Sequence, residues 1–375
     1  MRKFLSIATL PLALLACSSS APETDEPNTP SEPPPSEPAL TDDQYRDQAL
    51  RGMHDALLAE VEVMRLAAID LQKAAPTPPD RGWDALQDEK AITAMRDAWV
   101  RARTAYEHVE GALAPLFPDI DTSIDARYDD FMTLLAAKGG DTDLFDGKGV
   151  TGMHAVERVV YADVTPARVV AFEKSLPGYQ PAMFPQTAEE AAAFKADLCQ
   201  RLISDIEVLE AQWTPANIHI AIAYQGLVML VQEQAEKVVK AASNEEESRY
   251  SQRTMADLRD NLAGARMAYE MFRPWLLSKT DTTDPARDGK TIDGKIKAGF
   301  DALDVAYAEV EGASIPEPPA TWSAEKPSET DSKTPFGRLY TSVNAAVDPA
   351  NPESAVAQMN AAAEVLGFGG LTEGQ

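Results

Sequence analysis

His154 and Glu157 stand three residues apart in the run Thr151-Gly152-Met153-His154-Ala155-Val156-Glu157. On a helix that spacing puts an imidazole and a carboxylate on one face, a turn apart, where both can reach one metal ion. Gly152 lets the backbone turn tightly into such a helix. The same spacing also serves surface ion pairs, so the pair alone does not define a site. A second group strengthens it. Glu107 and Glu110 are again three apart, in a segment that carries Trp99, Arg103, Tyr106 and His108. Asp119, Asp121 and Asp125 follow in what reads as a loop, where such acids can equally cap helices.

The elements that must position these groups read as helices throughout. Apolar residues recur at three- and four-residue steps over 44–74 (Leu50, Met53, Leu57, Val61, Met64) and over 88–114 (Ile92, Met95, Trp99, Val109). Pro76, Pro78 and Pro79 end the first pattern, and Pro115 and Pro118 the second. Residues 187–213 open on Thr187 with Glu190 three positions on, a capping box. A long apolar helix over 215–242 starts with Pro215 at its first position. Further helices are expected near 248–277, 288–312 and 335–366, and no alternating β-branched run reads as a strand. The expected class is all-α, seven or eight helices in two packed four-helix bundles divided near Thr214-Pro215. The domains would be 44–214, carrying the metal motif, and 215–370, with a single elongated bundle as the alternative.

The first residues have a different character. Arg2 and Lys3 precede an apolar stretch from Phe4 to Ala16, too short to span a bilayer as a helix. It reads as an export signal over 1–16, and Leu14-Leu15-Ala16-Cys17 looks like a bacterial lipobox. Cys17 is then the acylated N-terminus, and residues 17–43, rich in Ser, Pro and Glu, form a lipid anchor and tether. The expected location is the cell envelope, at the periplasmic face or outer membrane surface. Cys199 has no intramolecular partner once Cys17 carries lipid, and it reads as inert. The formal charge of −26 argues against nucleic acid and against direct binding to anionic lipid, and it is compatible with a cation-binding protein. His54 and His219 read as core or interface histidines, and His108 as exposed.

Three stretches together resemble the imelysin family, in particular its EfeO/EfeM branch of periplasmic iron-uptake proteins. They are A-W-x-x-A-R-x-x-Y-E-x-x-E from Ala98, L-F-P-D-x-D-x-x-I-D-A-R from Leu116, and T-G-x-H-x-x-E-R from Thr151. A fourth is similar, Glu245-Glu246-Glu247 through Tyr250, Ser251, Asp257 and Asn261 to Gly264-Ala265. The resemblance spans about 44–366 and is to the shorter form without a cupredoxin-like domain. It implies two helical bundles and a metal site around G-x-H-x-x-E. Carried over by position, the ligands are His154, Glu157, Glu107 and Asp125, with Glu110 and Asp121 as alternatives, and Tyr106 and Arg127 orienting the carboxylates. Met153 and Gln252 depart from the residues usual in that branch. One imidazole with carboxylates suits iron, zinc or manganese.

The functional expectation is a lipid-anchored protein that binds iron or another divalent cation and delivers it to a membrane transporter. The alternatives are an imelysin-type metallopeptidase, for which H-E-x-x-H is absent, and a structural or adhesion lipoprotein in which the motif only packs the bundle.

Overall fold

A computed structural model describes residues 40–369. The export signal, Cys17 and nearly all of the tether lie outside the described residues. Among those described the chain forms fourteen α-helices and no strand, so the expected all-α class is observed. Residues 40–369 fall in one compact unit, and no described helix is long and apolar enough to cross a membrane.

Helix α1 (Asp42–Ala74) starts from a capping box between Thr41 and Gln44, and it buries Met53, Leu57, Val61, Met64, Ala68 and Leu71. This is the stripe that a 3.6-residue period lays on one face, each large side chain contributing ~1.5–3 kcal/mol on burial. α2 (Glu89–Leu116) packs along it. Pro118 does not only end α2. It opens α3 (Pro118–Asp125) at the first position, where its missing N–H costs nothing, and the acids Asp119 and Asp121 favour the positive end of the helix dipole. The three acids expected in a loop are therefore helical. α4 (Tyr128–Leu135), α5 (Gly152–Val160) and α6 (Ala167–Glu173) follow as short helices.

The pattern over 187–213 is one continuous rod with a defect. α7 (Ala188–Ala193), capped by Thr187 and Glu190 as expected, passes through a π turn at Phe194–Leu198 into α8 (Cys199–Gln212). The next helix, α9 (Ile220–Ser243), begins five residues later than Pro215 would suggest. Thr214 and Asn217 donate N–H bonds to Gln212 and Thr214 carbonyls, so these residues form a turn. His219 is the exposed residue just before α9 and not a core histidine.

α10 (Thr254–Leu277) starts only after an irregular stretch that places Asn244 and Gln252 in the left-handed region. α11 (Gly289–Ala308), α12 (Glu329–Ser332), α13 (Pro335–Val347) and α14 (Ala355–Leu366) complete the chain. Asp348, Pro349 and Pro352 divide the expected 335–366 helix into α13 and α14, because proline cannot continue a helical hydrogen-bond ladder. The central packing joins α1 and α2 to α10, and α2 to α9, across residue 214. The approach of α2 to α9 needs Gly226, since a Cβ there would lie 1.9 Å from the Gly111 carbonyl oxygen.

Candidate metal centre

The polar groups buried inside this helical core converge on the inner face of α2. Tyr106, Glu107 and Glu110 stand three, four and seven residues after Arg103, so one helical face presents all four. α5 meets that face through its N-terminus. Gly152 has φ of +86°, and a Cβ there would lie 2.6 Å from the Ile124 carbonyl oxygen. Glycine thus lets α5 abut the last turn of α3, which sets His154 beside Asp125. Trp99 fixes the same junction by donating its indole N–H to the Met153 carbonyl at 3.0 Å.

His154 is 1% exposed and Glu157 is fully buried. The imidazole Nδ1 lies 2.9 Å from Glu157 Oε2, and Nε2 lies 3.3 Å from Asp125 Oδ1. The second contact is off the hydrogen-bond direction, which leaves Nε2 without a bonding partner. The other Glu157 oxygen accepts the Ser251 backbone N–H at 2.8 Å. Arg103 sits between the two halves of the cluster. Its guanidinium pairs with Asp125 and Glu107, and stands 3.4 Å from Glu247 Oε2 and 3.8 Å from Asp257 Oδ2. On the far side Lys237 of α9 bonds Glu110 at 2.9 Å, Glu247 at 3.1 Å and the Asn261 amide oxygen at 2.9 Å. The Asn261 amide N–H₂ donates to both Glu107 and Glu110.

The structure thus brings His154, Glu157, Asp125 and Glu107 into one connected network through Arg103. Glu110 lies at its Lys237 end. Asp121 lies at its edge, accepting the Tyr106 hydroxyl at 2.6 Å. Arg127 touches none of the proposed ligands. It donates to the Glu245 carbonyl at 3.0 Å and pairs with Asp130. It lines, with Asp121, Asp125, Asp130, Lys240 and Glu247, a cleft of about 270 Å³ that opens onto the network.

Two carboxylates were missed as candidates from the sequence. Oxygens of Glu107, Glu247 and Asp257 approach within 4.8 Å of one another, close to the span of opposite oxygen ligands around an ion bonded at ~2.0–2.2 Å. Glu247 and Asp257 both fall within the fourth family-like stretch, so the signal was present. Spacing alone does not single them out: Glu247 lies in a turn, and the acid one helical turn from Asp257, Asp260, accepts the Thr104 hydroxyl instead.

The electrostatics follow from packing seven acids, two of them half-buried at the cleft, around three cationic side chains. Burial pushes Glu107 well above the carboxylate range, with Arg103 and Lys237 only partly opposing it. Burial likewise raises Asp257 to about 7, and burial with the Asp125 charge raises Asp121 to about 7. Burial opposes ionisation of Asp125 and Glu247 too, but Arg103 with His154, and Lys237 with Arg103, outweigh it and hold both below their ordinary values. Burial disfavours the imidazolium of His154, yet Asp125 and Glu157 outweigh it and raise its pKa to about 9. Burial therefore favours proton uptake by Glu107, Asp257 and Asp121, and a multivalent cation can replace such protons.

Against known proteins, the family model described as Imelysin matches residues 51–319. The chain belongs to the imelysin family. Among curated relatives, the iron uptake system component EfeO of Yersinia pseudotuberculosis is 28% identical over 218 residues, 58% of this chain and 45% of that protein. The component EfeM of Pseudomonas syringae is 25% identical over 218 residues, 58% of this chain and 59% of that one. The match thus spans about half the length of these relatives. An imelysin-like protein of Psychrobacter arcticum superposes with a TM-score of 0.51 over 88% of this chain and 97% of its own, at 13% identity. That likeness concerns the fold.

Proposed function

We propose that this imelysin-family protein captures a multivalent metal cation, iron foremost, as a component of an uptake system. The observation that carries the reading is the buried carboxylate excess around His154 and Arg103, with His154 Nε2 and both Asp257 oxygens making no hydrogen bond. Seven acids against three cations is a costly arrangement for a core that only needs to pack, because each unpaired buried charge is unfavourable. It suits a site whose charge is completed by cargo. Relatives named as iron uptake components support iron as that cargo. His154, Glu157, Glu107 and Asp125 would hold the ion, with Glu247 and Asp257 completing an oxygen-rich shell that suits iron, manganese or zinc.

On this reading Cys17 carries the lipid that keeps the protein at the envelope membrane, and the cargo passes to a membrane transporter. The acidic surface steers cations toward the cleft. The test is metal content and calorimetric titration with Fe²⁺, Fe³⁺, Mn²⁺ and Zn²⁺ of protein purified without a chelating tag. Wild type should bind one of these, and His154→Ala should lose at least ~10-fold in affinity. Equal binding by both proteins, or none by either, would overturn the proposal. Radiolabelled palmitate incorporation, abolished in Cys17→Ala, tests the anchor.

A further inference from the structure

Arg103 lies where a cation cargo would lie. It is 1% exposed, and its guanidinium contacts Glu107, Glu247 and Asp257, the three acids whose oxygens converge within 4.8 Å. Yet it does not saturate them. Neither oxygen of Asp257 has a hydrogen-bond partner, and Arg103 Nε and His154 Nε2 are also without one. Asp257 Oδ2 stands 3.8 Å from Arg103 Nε, beyond hydrogen-bond reach. A guanidinium offers its N–H groups in one plane, so acids above and below that plane stay unmatched. A metal ion binds oxygens from every side. Both cannot occupy the triangle, because two positive centres a few ångströms apart in a dry core repel strongly.

We propose that Arg103 is an internal competitor for the cargo. Its guanidinium holds the acids together in the metal-free protein and must leave the Glu107–Glu247–Asp257 triangle when the cation enters. Arg103 thereby sets affinity and charge selectivity. A monovalent ion only exchanges one positive charge for another and forfeits the guanidinium hydrogen bonds, so it is excluded. An ion of charge two or three gains the difference. The exit is built in. Arg103 already pairs with Asp125, and Asp125 borders the cleft with Arg127 and Lys240, so the guanidinium can turn toward the cleft without losing that partner. The inference rests on the metal-capture reading above.

The experiment titrates full-length wild type, R103Q and R103K with Mn²⁺ and Zn²⁺ by calorimetry, with and without excess Na⁺. R103Q should bind at least ~10-fold more tightly than wild type and become sensitive to Na⁺, with R103K between them. In wild type labelled at arginine nitrogen, the Arg103 Nε–H resonance, identified by its loss in R103K, should shift on saturation with Zn²⁺. Equal or weaker binding by R103Q would overturn the inference. If R103Q does not fold, the wild-type resonance decides, and its failure to move on Zn²⁺ saturation overturns the inference while leaving metal capture standing. Metal bound by R103Q but not by wild type supports the competitor role. No metal bound by any of the three overturns both readings.

Discussion

Raising the pH should weaken this protein by a calculable amount through one side chain. His154 is buried between Asp125 and Glu157, and its pKa rises from an ordinary 6.5 to about 9. Below the unfolded value both states are protonated, and the ion pairs contribute fully. Between the two values the unfolded chain gives up its proton while the native state keeps it. Stability therefore falls as pH rises, by ~1.4 kcal/mol per unit and about 3 kcal/mol in all. Asp121 and Asp257, raised from 3.8 to about 7, also lose stability with rising pH, but mainly between those values. Glu107, pushed well above the carboxylate range, acts in the same direction, so the His154 share between about pH 7.5 and about pH 9 is the difference between wild type and His154→Gln. The assay is urea unfolding of chelator-treated protein at several pH values in that interval, for wild type and His154→Gln. Wild type should decline more steeply than the variant across this interval. A flat wild-type profile, or equal slopes in both proteins, would refute the buried imidazolium. Because a metal must displace this proton, cargo affinity should climb with pH across the same interval.

Asp257→Asn should stabilise the metal-free protein by ~1 kcal/mol near neutral pH, since it removes a buried carboxylate that makes no hydrogen bond and meets Arg103 only at 3.8 Å, while weakening metal binding at least ~10-fold. Urea midpoints and calorimetry read the two effects separately. Glu157→Gln keeps an oxygen for the Ser251 N–H but loses the ion pair with His154, so it should cost ~1–3 kcal/mol and lower the His154 pKa followed by imidazole NMR. Gly226→Ala should cost ~3 kcal/mol or more, because its Cβ would meet the Gly111 carbonyl at 1.9 Å and force α9 off α2. Cys199, 1% exposed and with its thiol pushed upward by burial, should resist thiol reagents until the protein unfolds.

Much of the helical framework was legible because amphipathic periodicity is a local property. The α1 stripe, the Thr187–Glu190 capping box and the placement of Glu107 and Glu110 on one helical face need only neighbours three or four residues away. The errors came where proline has two meanings. Pro118, which reads as a stop for α2, also begins α3, and Pro215, which reads as the first residue of a helix, sits in a turn ahead of it. Nothing within a few residues distinguishes those outcomes, since the deciding contacts are tertiary.

By itself the sequence determined an acidic all-α chain and an imidazole–carboxylate pair one helical turn apart. Only the tertiary structure decided what surrounds that pair. Asp125 reaches His154 because Gly152 lets α5 touch α3, and Glu247, Asp257 and Lys237 arrive from segments more than a hundred residues away from α2 along the chain. The surplus of buried acids, and Arg103 among them, could not be read from spacing. Burial and charge balance are properties of what packs together, and a one-dimensional pattern records only which face each residue presents.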